Sequence, residues 1–345
     1  MRYSRVFIDA IGYELPPVVV TTQELEARLR PVYETLHVAE GQLEAMTGIA
    51  ERRWWEPGYP PSQGAVQAAR KALAVSHVRP QDVEVLIYAA VCREEFEPAT
   101  ACRVASDLGI RPDTVFDISN ACLGVLNGIV DLANRIELGQ IRAGLVVSCE
   151  TAREINDAMI DTMLRDRRMD VFKKSLATLT GGSGAVAVLV SDGSFCPAPR
   201  RRVLGGSTQA APQYHGLCRW GLEGVLTAAR QFMSTDPVSV LRYGVELGLR
   251  TWSTFLNRLG WASDMVDKVI CHQVGTSHRD SILKTLGIAV EKDYSTYPFL
   301  GNMGTVSLPL TAALAEEREF LRPGDRVGFL GIGSGLNCLM LGVEW

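Results

Sequence analysis

An α/β architecture in two related halves is the fold class the sequence predicts, and three observations carry it. Continuous apolar runs of strand length recur along the 345 residues. Stretches whose apolar positions step by three and four residues lie between them. The order of these elements also occurs twice. Unbroken runs suit strands covered by helices on both faces, and their alternation with amphipathic helices defines the class.

In the first half, a helix over 65–75 leads through Arg79-Pro80-Gln81-Asp82 into a strand over 83–91. A strand over 114–118 then runs into a helix whose apolar positions Leu126, Ile129, Val130, Ala133 and Ile136 share one face, with Gly139 as its stop. Strands over 144–148 and 184–190 follow, the second inside a glycine-rich strand beginning at Gly181. Between them, 151–180 reads as a charged helical insertion. Its most polar part, 161–170, is the expected mobile or partner-facing element. The second half repeats the opening, with a helix over 243–259, the turn Trp261-Ala262-Ser263-Asp264 and a strand over 268–272. It closes on a strand over 326–332 within a glycine-rich strand spanning 328–343. Ser191-Asp192-Gly193 and Pro197-Ala198-Pro199-Arg200-Arg201-Arg202 mark a loop near 191–205. The halves are therefore 1–195 and 205–345.

Composition narrows the function. With 35 basic and 39 acidic residues the formal charge is −4, against the basic excess of a nucleic-acid binder. Apolar residues make up 47% of the chain, which excludes disorder. No apolar run reaches the ~18 residues of a membrane span. The opening segment has no apolar core of a secretory leader, so a cytoplasmic protein is expected. The eight cysteines form no CxxC pair and most sit in apolar segments, so free thiols are expected.

Three short motifs carry chemistry. Asn120-Ala121-Cys122-Leu123-Gly124 places Cys122 at a strand-to-helix elbow, at or just before the first helical turn. Unpaired N–H groups and the positive helix end favour a thiolate there, so a lowered thiol pKa is expected. A buried structural cysteine fits the motif equally well. His272 ends an apolar strand before Gln273-Val274-Gly275, on the side of an α/β sheet where ligands bind. A lone histidine beside a strand is more often a satisfied core residue. Asn302, between Gly301 and Met303-Gly304, fits a turn or an amide aimed at an oxyanion. Gly331-Ile332-Gly333-Ser334-Gly335 stands too near the C-terminus for a dinucleotide-binding unit. Its glycines suit a backbone approach of Ser334 to a reacting carbonyl. His272 and His278 are six apart, off a common helical face, which argues against a metal pair.

Together, Asn-Ala-Cys122, His272-Gln, Gly-Asn302-Met-Gly and the C-terminal Gly-Ile-Gly-Ser-Gly resemble the thiolase superfamily, in the order and spacing of its ketoacyl synthase III branch. The resemblance implies a thiolase-like duplicated αβαβα five-layer fold, a homodimer and a Cys-His-Asn triad. Cys122 would be acylated, and His272 and Asn302 would hold the second substrate's thioester oxygen. Backbone N–H groups of Cys122 and Ser334 would form the other oxyanion hole. Residues 93–100, the Asn-Ala-Cys-Leu elbow and the ending Gly-Ile-Gly-Ser-Gly-Leu-Asn337-Cys338 are most similar to the OleA type, which condenses two acyl-CoAs. There Glu97 would serve the partner subunit's site as the base that takes an α-proton. Its bland alternative is a cap on the helix beginning around Ala99. Gln42 and Met46 replace the Trp and Arg of the malonyl-using enzymes' coenzyme A entrance. Arg165, Arg167, Arg168 and Arg200–Arg202 are candidates for its phosphates, or a solvated surface.

The implied activity is a non-decarboxylative Claisen condensation through an acyl-cysteine, with acyl-CoA or acyl-carrier protein as partner and no metal or redox cofactor. Rival readings are a decarboxylative 3-oxoacyl-[acyl-carrier-protein] synthase III, a silent subunit of a heterodimer and a degradative thiolase. Intact Cys122, His272 and Asn302 weigh against the silent subunit. Cys338 is displaced from where a thiolase's second cysteine would sit.

Overall fold

The computed structural model describes residues 1–198, 200–223 and 230–345, so Pro199 of the expected seam lies outside the described residues. The chain opens with β1 (Phe7–Glu14), β2 (Val18–Thr21), α1 (Thr22–Arg28), α2 (Arg30–Leu36), α3 (Gln42–Thr47) and β3 (Glu51–Trp54). Next come α4 (Pro61–Val75), β4 (Val85–Ala89), α5 (Thr100–Leu108), β5 (Thr114–Ile118), α6 (Gly124–Glu137) and β6 (Ala143–Glu150). Helices α7 (Arg153–Arg165) and α8 (Met169–Ser175) precede β7 (Gly184–Ser191). Beyond the loop stand β8 (Arg202–Ala210), β9 (Cys218–Glu223), β10 (Arg230–Thr235), α9 (Pro237–Leu259), β11 (Lys268–Cys271) and α10 (Thr276–Leu286). The chain ends with α11 (Tyr297–Leu300), α12 (Ser307–Glu317), β12 (Arg326–Gly333) and β13 (Asn337–Glu344).

Among the described residues, nine strands hydrogen-bond in the order β11-β12-β13-β8-β1-β7-β6-β4-β5. Outward from the centre, β1-β7-β6-β4 on one side matches β8-β13-β12-β11 on the other, with the same strand directions at each step. Strand β5 lies parallel to β4, and the single parallel bridge of Val269 to Asp293 stands in the corresponding place. The two halves of the sheet meet where the N-terminal segment runs beside β8, with Phe7 paired to Arg202 and Arg2 bridged to Gly205.

Helices fill three layers around these two sheets. Ala65, Ala68, Ala69 and Ala72 of α4 are fully buried on one outer face, so close that a Cβ on Gly12 of β1 would collide with the Ala68 carbonyl. Helices α6 and α12 share the central core with strands of both sheets, represented by Leu126, Ile129, Leu310, Val188, Phe329 and Leu341. Leu247 and Phe255 of α9 and Leu283 of α10 cover the remaining face against Met340. The result is helix, sheet, helix, sheet, helix. α12 is buried on every side from Ser307 to Ala315, as a middle layer requires.

One expectation about the fold needs correction. The glycine-rich run 328–343 is not one strand but the antiparallel hairpin of β12 and β13, turning at 334–336. Continuous apolarity hides a turn when glycine and serine are its only markers. The insertion 151–180 is helical over α7 and α8, and much of it is packed down. Ile155, Met159, Ile160 and Met163 of α7 and Phe172 of α8 are buried, and both helices pack on β10. Its exposed part is the turn around Arg168, which pairs with Asp166 at 2.9 Å and Asp170 at 3.6 Å. No helix of the described residues is long and apolar enough to cross a membrane.

Candidate active site

β5 delivers the chain to Asn120-Ala121-Cys122, and α6 leaves at Gly124. The elbow is tight enough that Ala121 takes a left-handed φ of 45°, uncommon without glycine. The Leu123 N–H donates to the Asn120 carbonyl at 3.0 Å and the Gly124 N–H to that of Ala121 at 3.4 Å. α6 has no side-chain cap of its own. Its Val125 N–H donates instead to Thr305 Oγ1, at 2.7 Å, from the turn just ahead of α12. Asn120 donates through Nδ2 to Asn127 Oδ1 at 2.8 Å and accepts at Oδ1 from Asn337 Nδ2 at 3.1 Å. That second bond ties the elbow to the β12–β13 turn carrying Ser334. A Cβ on Gly333 would lie 3.4 Å from the Cys122 nitrogen, which is how close this turn comes.

His272 leaves the end of β11 with its N–H donating to the Leu330 carbonyl at 3.0 Å. Buried Gln273 fastens the neighbouring backbone. Its Nε2 donates to the Cys271 carbonyl at 2.7 Å, and its Oε1 accepts from the N–H groups of Thr296 and Tyr297 at 2.8 and 3.1 Å. The chain then runs through α11 to Asn302, whose N–H donates to the Thr180 carbonyl at 2.8 Å. Asn302 Oδ1 accepts from the Gly304 N–H at 3.0 Å. With the carboxamide oxygen held, the Nδ2 end is the one left to donate.

Cys122, His272, Asn302 and Ser334 all line one cavity of about 1190 Å³. Its other walls are largely apolar: Ile155 from the insertion, Phe232 and Met233 from β10, Leu241 and Val245 from α9, and Ile282 from α10. Met46 lines it too and is 44% exposed, so α3 stands at a mouth.

The lowered thiol pKa expected at the elbow is overturned. Burial pushes the Cys122 thiol up to about 12, and the nearness of Cys218 and Glu150 opposes its ionisation further. A helix end offers only partial charge, and removal from water outweighs it. Burial likewise lowers His272 to about 4, helped by the neighbouring His278. At neutral pH the resting cavity therefore holds a thiol and a neutral imidazole.

Sequence reasoning missed Glu150, Cys218 and His278, all of which line the cavity. Glu150 ends β6 and accepts from the Val91 and Cys92 N–H groups at 3.0 and 3.1 Å, and burial raises its pKa. A carboxylate closing an apolar strand is the signal that was there to find. Cys218 lies in a hairpin without any comparable pattern, and His278 was weighed only as a metal ligand.

The structure does not bring Glu97 to the cavity of its own chain; it is exposed in the loop before α5. Its capping alternative fails, because Asp117 accepts the Thr100 and Ala101 N–H groups at 3.0 and 2.9 Å. Arg201 is occupied by Glu316 at 2.7 Å and Arg202 by Glu344 at 2.8 Å, so neither is a free phosphate ligand.

Residues 256–345 match the family described as the C-terminal part of 3-oxoacyl-[acyl-carrier-protein] synthase III. The chain is 57% identical over 349 residues to the acyl-CoA:acyl-CoA alkyltransferase of Shewanella oneidensis, covering 100% of both. It is 34% identical over 348 residues to the enzyme of the same name from Xanthomonas campestris, again covering 100% of both. A crystal structure of a Xanthomonas campestris OleA variant with bound lauric acid and lauroyl-CoA superposes with a TM-score of 0.92 at 34% identity, covering 99% of this chain and 100% of that one. With a relative this similar along its full length, the chain belongs to the acyl-CoA:acyl-CoA alkyltransferase family, the OleA type of thiolase-like condensing enzyme.

Proposed function

We infer that the chain condenses two acyl-CoAs without decarboxylation, giving a 2-alkyl-3-ketoacyl thioester by way of an acyl-cysteine. The observation that carries this reading is the cavity that Cys122, His272 and Asn302 all line, whose other walls are largely apolar. At about 1190 Å³ it exceeds the ~300–1,000 Å³ of ordinary ligand pockets, as two acyl chains require. The names of the relatives, and the lauroyl-CoA of the superposed structure, point to the same substrate class.

In the first half-reaction the Cys122 sulfur attacks the thioester carbon of one acyl-CoA. Neutral His272 is the base available to take the thiol proton as attack proceeds, and that proton leaves with the departing coenzyme A thiol. The N–H groups of Cys122 and Ser334 stabilise the tetrahedral oxyanion. In the second, Glu97 removes the α-proton of another acyl-CoA, and His272 and Asn302 donate to the enolate oxygen. The enolate carbon attacks the acyl-cysteine, the new carbon–carbon bond forms and the Cys122 thiolate is released. Because Glu97 is exposed beside Phe96, itself 91% exposed, we assign it to the cavity of a second copy of the chain in a homodimer. The halves 1–195 and 205–345 each supply part of the site. No cofactor takes part in these steps, and we place the enzyme in the cytoplasm.

The test is purified protein given one long-chain acyl-CoA and no malonyl donor, with products read by mass spectrometry. A coupled β-keto product is expected. Acylated Cys122 that couples only when malonyl-carrier protein is added would overturn the reading in favour of a decarboxylative synthase. Glu97→Gln should retain acylation of Cys122 and abolish coupling; coupling at the parent rate would remove Glu97 from its role.

A further inference from the structure

Between β4 and α5 the chain runs through 90–99 and carries Glu97 outward. Three carboxylates from three different elements hold this loop. At its far end Asp117 of β5 accepts the Thr100 and Ala101 N–H groups. In its middle Glu94 reaches the start of α4, where its Oε1 accepts the Ser62 N–H at 2.8 Å. At its root stands Glu150, the last residue of β6, with Oε1 accepting from Val91 at 3.0 Å and Oε2 from Cys92 at 3.1 Å. The next residue adds to the same joint. Thr151 donates its N–H to Cys92 Sγ at 3.4 Å, and that sulfur donates to the Thr151 carbonyl at 3.4 Å. Between these fixed points Glu95, Phe96 and Glu97 are exposed.

Glu150 is the costly member of the set. It is only 4% exposed, and a carboxylate taken out of water destabilises the fold unless its oxygens are well served. It lines the cavity, yet none of the condensation steps uses it. What its two oxygens do is grip two successive N–H groups, which fixes the direction in which the chain leaves β4, five residues ahead of Glu97. Resting on the assignment of Glu97 to the cavity of a second copy, we propose that Glu150 is a positioning residue for the proton transfer in the partner subunit: by clamping Val91 and Cys92 it sets where its own chain's Glu97 stands. A base must lie within hydrogen-bond reach of the proton it takes, and a misplacement of about 1 Å costs on the order of 10²-fold. Glu150 also borders the turn after Asn302 in its own chain, where a Cβ on Gly304 would lie 3.3 Å from Oε1. The two routes serve different subunits, and that is what separates them.

The experiment uses mixed dimers. Glu150→Gln keeps the shape of the side chain but sets an NH2 against one of the two N–H groups, whichever way the amide is turned. In its homodimer, coupling from acyl-CoA should fall at least about tenfold while acylation of Cys122 stays near the parent rate. The Glu150→Gln chain is then co-expressed with a Cys122→Ala chain under a different tag, and the mixed dimer is purified through both tags. Its one complete site pairs the Cys122 of the first chain with the Glu97 of the second, whose Glu150 is intact. Coupling should return to about half the parent rate per dimer, one working site of two. A mixed dimer with no recovery over the Glu150→Gln homodimer would overturn the proposal, since Glu150 would then be serving its own chain's site. So would a Glu150→Gln homodimer that couples at the parent rate or loses acylation together with coupling. If Glu150→Gln does not fold, Glu150→Asp, which keeps both oxygens on a shorter stem, goes through the same comparison with the same expected recovery. A control dimer of Glu97→Gln with Cys122→Ala should also recover. Silence in that control would overturn the transfer of Glu97 between subunits, and this proposal with it, whereas recovery there and not with Glu150→Gln would overturn the proposal alone.

Discussion

The two central helices begin at corresponding places in the duplicated fold and carry different chemistry. α6 starts two residues after Cys122, while α12 starts five residues after Asn302. On the first side the chain turns sharply through a left-handed Ala121 and leaves a sulfur at the cavity wall. On the second, a longer approach through Gly304-Thr305-Val306 holds a carboxamide whose oxygen is pinned by the Gly304 N–H. The longer turn also does something the shorter one does not: Thr305 caps the opposite helix. Duplication thus supplied two equivalent helix mouths. Divergence made one the seat of a nucleophile and the other the seat of a hydrogen-bond donor that also braces its counterpart.

The largest way to break this comparison is at the nucleophile. Cys122→Ala should lower condensation by at least about 10³-fold, measured as product from acyl-CoA, because the acyl group is carried on that sulfur between the two half-reactions. At the second mouth the effect should be smaller and selective. Asn302→Ala is expected to slow coupling by about 10²- to 10³-fold, the scale of one lost oxyanion donor, while burst acylation of Cys122 suffers less. Equal loss in both steps would mean that the two mouths do not divide the work.

Titration sharpens the contrast. With its thiol raised to about 12, Cys122 should react with iodoacetamide at a rate that keeps climbing through pH 9 and 10. A plateau near neutral pH would restore the thiolate expected from the elbow alone. His272 is lowered from 6.5 to about 4, so between those values the unfolded chain binds a proton that the folded one refuses. Its contribution is fully present above pH 6.5 and lost as pH falls towards 4, worth a few kcal/mol at most. His272→Asn should flatten that part of the stability–pH curve, read by thermal unfolding. The smallest effect belongs to the brace. Thr305→Val removes the cap on Val125 and should cost about 1 kcal/mol, or roughly 1–2 °C in Tm for a chain of this size.

Much of this architecture was legible. The strand over 114–118 appears with those bounds, and the helices expected from 65 and 123 are α4 and α6. Periodicity succeeds there because each helix keeps its most buried residues on one face, sharply on α4 and less so on the mid-layer α6. It fails over 328–343, where two buried strands joined by a glycine-rich turn look like one. The resemblance placed Cys122, His272 and Asn302, and the structure brings them to a common cavity. What was not legible is burial. The helix-end argument for a thiolate treats Cys122 as partly solvated, and no local pattern shows that hairpin β9–β10, α9 and the 151–180 segment close over it. Glu150 and His278 escaped for a related reason, since their importance lies in which space they face and not in their neighbours along the chain.

The shared middle layer has a further consequence. α6 and α12 are each buried by strands of both sheets, and the hydrogen bond from Val125 to Thr305 crosses between them. Neither repeat therefore has an interior of its own to retain once the other melts. Despite its two-fold ancestry, the protein should come apart as one cooperative unit, with a single calorimetric peak where two independent lobes would give a pair.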